Sequence, residues 1–234
     1  MDASAEGKSD YFFSMGYRIE SLRGAVESFF AVNSAVKSAA ILCWDDAWGR
    51  AHVKLWREIA HRHGVSIVDE VCESDFGNDY RTAVTRIVAK KPDAVIISFY
   101  ADRVMQRMKE QSFNPRILTT SDMVEALSVR KAEPIVVEGA YFTYWTPSED
   151  FVRAFRAKFN RDPILEAHNH YEALRSLARG IEANPESPNL GLKQVKYDGV
   201  AGPIDFSQAP YPNLGVAKLY RTENGGWREV EQSR

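Results

Sequence analysis

Two short apolar runs constrain this chain more than any other feature. Ala39-Ala40-Ile41-Leu42-Cys43-Trp44 and Ala94-Val95-Ile96-Ile97-Ser98-Phe99 read as strands buried on both faces, as in a sheet covered by helices. A helical pattern follows each. Behind Trp44, a helix from about Ala47 puts His52, Leu55, Trp56, Ile59, Ala60 and His63 on one face, and Gly64 ends it. The unit then repeats. Strands at Val65 to Val71, Ile117 to Thr120 and Gly139 to Trp145 alternate with helices that start near Tyr80, at Asp102 and at Met123. Such alternation predicts a parallel sheet with right-handed crossovers, an α/β doubly wound domain. A preceding helix carries Ile19, Leu22, Val26, Phe29 and Phe30 on one face, and Tyr11-Phe12-Phe13 reads as a short strand or a hinge segment before it.

After Pro147 the pattern changes. Two helices follow with no strand between them. Phe151, Phe155 and Phe159 face inward on the first, and Ala167, His170, Tyr171, Leu174, Leu177, Ala178 and Ile181 on the second. No sheet in the chain is evident to receive both stripes. A Pro-rich loop at Asn184 to Asn189, a strand at Gly202 to Phe206, and two strands joined through Asn224-Gly225-Gly226 complete the reading.

Composition narrows the function. The net charge of −2, from 30 basic and 32 acidic side chains, gives no field that calls for nucleic acid or a membrane surface. No apolar run reaches the roughly 18 residues of a membrane span. Met1 to Asp10 lacks the apolar core of a signal peptide, so either the protein is cytoplasmic or a signal has been removed. Cys43 and Cys72 lie in or just after strand-like runs. Two buried free thiols are the favoured reading, a disulfide between neighbouring strands the alternative. His61/His63 and His168/His170 are spaced i, i+2, which puts each pair on different helix faces and argues against a metal site. His63 and His170 read as core histidines. No Ser/His/Asp order, Gly-x-Ser-x-Gly or P-loop is present, so no catalytic residue, metal or cofactor is assigned.

In open α/β sheets ligands bind outside the carboxyl ends of the strands. Those ends present Asp45, Asp46 and Trp48; Glu73, Ser74 and Asp75; Ser98, Tyr100 and Asp102; Thr119, Thr120, Ser121 and Asp122; and Tyr144, Trp145 and Thr146. Rings and carboxylates together suit a small ligand with an ammonium group or an aromatic ring. Helix capping is the competing explanation for each single residue.

The pieces in order resemble a family. Tyr11-Phe12-Phe13, Asp45-Asp46-Ala47-Trp48-Gly49, Pro92-Asp93-Ala94-Val95-Ile96-Ile97 with Tyr100, Thr120-Ser121-Asp122, Phe151 to Pro163, Tyr171-Glu172-Ala173 and Asp198-Gly199-Val200-Ala201-Gly202-Pro203-Ile204-Asp205-Phe206 are similar to the C-terminal two-thirds of type I periplasmic solute-binding proteins, the branched-chain amino acid branch of ABC transporter receptors. The resemblance implies two α/β lobes clamping a small solute, no catalysis, delivery to a membrane permease, and a periplasmic location with the signal peptide and N-terminal lobe not present in this chain. It divides the chain into a polar stub and crossing strand (1–15), a complete second lobe (16–146), a return segment of an incomplete first lobe (147–206) and a C-terminal hairpin (207–234) grouped with that first lobe. By position, Trp48 and Tyr100 contact ligand, and Asp122 or Ser121 stands for an acidic group that pairs a ligand amine. Asp46 and Ser98 complete the expected ligand-binding set. Trp48 replaces the family's usual tyrosine, which favours a bulkier or aromatic ligand. The bare helical faces at 151–183 then predict self-association. A cytoplasmic ligand-sensing regulator of the same fold is the alternative. A receiver domain is the other, although it would want an aspartate at the third strand end and a lysine near the fifth.

Overall fold

The computed structural model describes residues 9–74, 79–164, 166–208 and 216–231. Two compact units share the chain. The larger comprises Ile19–Tyr144 and Ala217–Arg234, the smaller Met1–Arg18 and Trp145–Val216.

In the larger unit a 3₁₀ turn leads into α1 (Arg23–Val32). Then β1 (Ser38–Trp44), α2 (Ala47–Arg62), β2 (Ser66–Glu73), α3 (Arg81–Lys90), β3 (Ala94–Ile97), α4 (Ala101–Glu110), β4 (Arg116–Thr119), α5 (Asp122–Ser128), the single turn α6 (Pro134–Val137) and β5 (Tyr141–Tyr144) follow. The sheet order is β2-β1-β3-β4-β5, all parallel. The two apolar runs lie at its centre. Ile41, Leu42, Ile96 and Ile97 are fully buried because helices cover both faces. Asp93 ties the strand starts together. Its carboxylate accepts from the backbone N–H groups of Lys37 and Ser38 and from the Ser38 hydroxyl, each at 2.9 Å. Those bonds, the Lys37 N–H first, hold its carboxyl below the ordinary range.

Three expectations change here. Cys43 and Cys72 face each other in the register of parallel β1 and β2, with Cα atoms 4.5 Å apart, and form a disulfide. The residues lie opposite one another on neighbouring strands, within bonding reach. The C-terminal hairpin belongs to this sheet. It consists of β8 (Lys218–Glu223) and β9 (Gly226–Glu229), and β8 pairs antiparallel with β5, covering what would be an open edge. Tyr220 stacks on Phe142 at 5.5 Å, and the Thr222 hydroxyl accepts from Ala140 N. Asn224 and Gly225 take φ of 52° and 77°, the two positive values of a tight hairpin turn. Finally, His63 is exposed, because α2 ends at Arg62 and His63 turns out as its C-cap. The rest of that face is buried as expected.

The smaller unit holds α7 (Glu149–Phe159), α8 (Ala167–Ala183), α9 (Pro188–Leu192) and the antiparallel pair β6 (Lys196–Gly199) and β7 (Gly202–Asp205). Its core is Leu192, Val195, Ile204 and Phe206, against which Phe13, Met15, Tyr17 and Tyr197 pack. Residues 11–13 form no strand. Phe12 N bonds Ser9 O in a turn, and Phe13 meets Phe206 edge-on at 5.4 Å. The helix α9 begins at Pro188, inside the stretch Asn184 to Asn189 that read as loop. It packs backbone to backbone on α8, since a Cβ at Gly191 would lie 1.9 Å from Gly180 O.

The main correction concerns α7 and α8. The apolar stripe of α8 faces outward, and on α7 Phe151 and Phe155 are half-buried and Phe159 exposed. Nothing in α7 is buried, and α8 buries His168, Asn169, Glu172, Ser176 and Gly180 instead. The polar face wins because the small unit supplies its partners. Glu172 accepts from Tyr197 Oη at 2.6 Å and Val200 N at 2.7 Å, Asn169 Nδ2 donates to Met15 O at 2.7 Å, and Tyr17 Oη meets His168 Nε2 at 2.5 Å. His168 is thus the buried histidine, and His170 is exposed.

Candidate functional site

The carboxyl ends of β1, β3 and β4 in the larger unit carry the expected residues. Asp46 caps α2, its carboxylate accepting from Gly49 N at 2.6 Å. Gly49 is required by close approach, because a Cβ there would lie 2.0 Å from Trp44 O. This tight turn places Trp48 half-exposed, its ring 4.0 Å from that of His52. His52 is buried and donates Nδ1–H to Trp48 O at 2.9 Å, and burial pushes its pKa down to about 4. Asp45 is exposed and paired with Arg50, whose guanidinium holds its carboxyl below the usual range.

Ser98 is fully buried. Its hydroxyl accepts from Trp44 N at 3.2 Å and its carbonyl from Thr120 Oγ1 at 3.0 Å, so it stitches three strand ends together. Thr119 does the same through Ile97 O. These two threonines are engaged within the sheet.

Tyr100 and Tyr80 share an unusual backbone. Both are N-caps in the left-handed region, at φ 41° and 57°. A bulky residue there is a conformational outlier costing about 1–3 kcal/mol, and such outliers gather at ligand sites. Phe99 links the rings, 4.5 Å from Trp44, 6.1 Å from Tyr80 and 6.0 Å from Tyr100. Two guanidinium groups lie over the Tyr100 ring, Arg103 at 4.9 Å and Arg130 at 5.1 Å.

Arg130 fixes this half of the edge. It donates Nη1 to Asp122 Oδ1 at 3.0 Å and Nη2 to Asp122 Oδ2 at 2.8 Å, and Nη2 also reaches Asp102 Oδ1 at 2.9 Å. Burial works against its charge, yet the bonds from Asp102 and Asp122 outweigh it and hold the guanidinium above its ordinary range. Asp122 also accepts from Ala101 N at 3.3 Å. The carboxylate expected to meet a ligand amine is therefore engaged by Arg130 on both oxygens. Ser121 is half-buried beside it and makes no side-chain cap bond. Asp75 lies outside the described residues. Among the described residues no group of three His, Cys, Asp or Glu side chains is arranged to hold a metal ion.

The structure thus gathers Trp44, Trp48, Ser98, Tyr100 and Asp122 on one edge, and adds Tyr80, Phe99, Arg103 and Arg130. Tyr80 read only as the start of a helix, because its positive φ leaves no trace in the sequence. Arg130 was missed because it acts across 28 residues on Asp102. A cleft of about 420 Å³ opens beside Tyr80, Asp102, Arg103 and Gln106. The arrangement offers rings, guanidinium groups and hydroxyls.

A family profile of periplasmic binding proteins matches residues 2–220. Among solved structures, the chain is similar to an ABC transporter solute-binding protein from R. palustris in complex with benzoate, with TM-score 0.81, 16% identity, and coverage of 95% of this chain and 65% of that one. It is similar to the leucine-binding protein LivK of Thermotoga maritima, with TM-score 0.77, 15% identity and coverage of 96% and 68%. It is also similar to LivJ of Streptococcus pneumoniae in complex with isoleucine, with TM-score 0.76, 18% identity and coverage of 95% and 68%. The chain therefore spans 65% to 68% of the length of these structures.

Proposed function

Because this chain belongs to the periplasmic binding protein family, of type I, we propose that it is the solute-binding component of an ABC importer. It binds a small amino acid-like or aromatic organic solute, delivers it to a membrane permease and catalyses no reaction on it. The larger unit is read as the second lobe of the fold, with the terminal hairpin included because β8 pairs with β5. The smaller unit is read as the return segment of the first lobe. The same reading includes self-association of the chain through its exposed helical face.

The observation that carries the proposal is the aromatic edge with its two left-handed tyrosines. Trp48 and Tyr100 supply ring contacts, and Ser121 supplies a hydroxyl. Asp46 and Ser98 hold the turn and strand ends that aim them. Asp122 acts through Arg130, which keeps the Tyr100 ring in place. Such a wall favours a ring-bearing or planar solute over one recognised by its ammonium group alone. Benzoate and isoleucine, bound by the similar proteins, mark the range to test. The Cys43–Cys72 disulfide supports an oxidising compartment and speaks against the cytoplasmic regulator.

The test is calorimetry of the protein against benzoate, leucine and isoleucine, with product analysis alongside. Binding of at least one, weakened about tenfold or more by Trp48→Ala and by Tyr100→Ala, is expected. Chemical turnover of a bound compound, or affinities indifferent to both substitutions, would overturn the reading.

A further inference from the structure

The disulfide of the larger unit is asymmetric. Cys43 lies inside the sheet, on β1, and is fully buried. On the side away from β2 it is flanked by Ser98, whose N–H donates to Leu42 O at 3.0 Å and whose hydroxyl accepts from Trp44 N. Cys72 lies on β2, the sheet edge among the described residues, and is half-buried. It borders a cleft of about 540 Å³, and α2 supplies the facing wall with Arg50, Val53, Lys54 and Arg57. Their spacing of three and four keeps these residues on one side of the helix. Two ion pairs in the cleft cancel, Arg50 with Asp45 at 2.7 Å and Arg57 with Glu70 at 2.6 Å. Lys54 makes no ion pair among the described residues, so the lining keeps a positive charge in excess.

We propose that Cys72 is an S-thiolation site: a low-molecular-weight thiol enters this cleft and exchanges with the disulfide at Cys72 and not at Cys43. The thiolate of the incoming molecule attacks Cys72 Sγ. A new S–S bond forms there as the Cys43–Cys72 bond breaks, and Cys43 leaves with the bonding electron pair. The proton lost by the incoming thiol ends on Cys43, which its apolar surroundings hold as the neutral thiol. One disulfide is consumed and one is formed, so the thiol is the only co-reactant. Access decides which sulfur is attacked. The bond runs from β1 to β2, so approach in line with it at Cys72 comes from beyond the sheet edge, where the cleft opens. The same approach at Cys43 meets the backbone around Ser98. Lys54 favours the attacking species, because a nearby ammonium stabilises a thiolate over a neutral thiol. The β1–β2 ladder, from Ser38 opposite Ser66 to Trp44 opposite Glu73, keeps the two strands in register while the cross-link opens. None of this depends on solute binding, so either reading can fail without the other.

The test treats the native full chain with 2-mercaptoethanol from about 1 to about 100 mM, quenches with acid, and maps the adduct by peptide mass spectrometry. A mixed disulfide on Cys72 is expected, with Cys43 recovered as a thiol that alkylates only after denaturation. Single-cysteine variants give a second readout. The Cys72 thiol of Cys43→Ala should react with an aromatic disulfide reagent on the order of a hundredfold faster than the Cys43 thiol of Cys72→Ala. In denaturant the two rates should converge. Should either variant lose structure by circular dichroism, the adduct map of the unaltered chain decides. An adduct on Cys43, an equal division between the two sulfurs, or no adduct at the highest thiol concentration would overturn the proposal. So would equal rates in the two folded variants.

Discussion

Reducing the disulfide between Cys43 and Cys72 perturbs the fold at a point where its cost can be worked out. The two cysteines are 29 residues apart, and the loop the bond closes contains the end of β1, all of α2 and nearly all of β2. Chain-entropy bookkeeping for such a loop gives about 3.6 kcal/mol of stabilisation at room temperature. For a protein of this size that corresponds to a fall of about 7–14 °C in the melting midpoint. The location sharpens the expectation. Strand β2 is the sheet edge among the described residues, pairs with β1, and has a single buried residue, Val71. Loss of the cross-link therefore also favours local detachment of β2 before global unfolding. The assay compares thermal melts of untreated, dithiothreitol-treated and Cys43→Ala/Cys72→Ala protein, with thiols counted in denaturant. Untreated protein should show none and reduced protein two. Two titratable thiols in untreated, air-handled protein, or melts that coincide with and without reductant, would refute the argument and the compartment drawn from it.

Further outcomes follow from the site. Gly49→Ala should destabilise the larger unit by about 2 kcal/mol or more in urea titrations, because its methyl would collide with the Trp44 carbonyl rather than with a movable side chain. At Tyr100, with φ 41°, glycine should be better tolerated than alanine by about 1 kcal/mol, since only glycine occupies that region without strain; equal stabilities would argue against a left-handed residue there. His52 gives a pH signature. Its folded pKa of about 4 lies below the ordinary value, so the unfolded chain binds the proton first. Stability is fully present above about pH 6.5 and declines as pH falls towards 4, by on the order of 2 kcal/mol at pH 4.5. Denaturant midpoints for the wild type and His52→Gln at both pH values check it, and the variant's curve should be flatter.

Much of the larger unit was legible in the chain because its information is local. The runs around Ile41 and Ile96 are apolar on both faces, the α2 pattern buries Leu55, Trp56 and Ile59, and Asn224-Gly225 suits one kind of turn. Periodicity and turn chemistry encode these features within a few residues. The candidate site was legible as an edge, since strand ends follow from strand order, and Trp48, Tyr100 and Asp122 lie there. What those residues do was not. Arg130 engages both Asp122 oxygens, and Tyr80 turns in through a positive φ, outcomes that depend on neighbours far along the chain.

Tertiary structure alone decided the remaining features. The helix at 167–183 has an apolar stripe strong enough to predict inward packing, yet Glu172 and His168 face the core because Tyr197, Val200 and Tyr17 satisfy them there. The hairpin joins the sheet because β5 offers an open edge, and Cys43 meets Cys72 because two parallel strands come into register. Amino-acid order determines which faces are apolar and where the chain turns. Which face is covered depends on the partners the fold brings to it, since burial is a property of the pair of surfaces and not of either one.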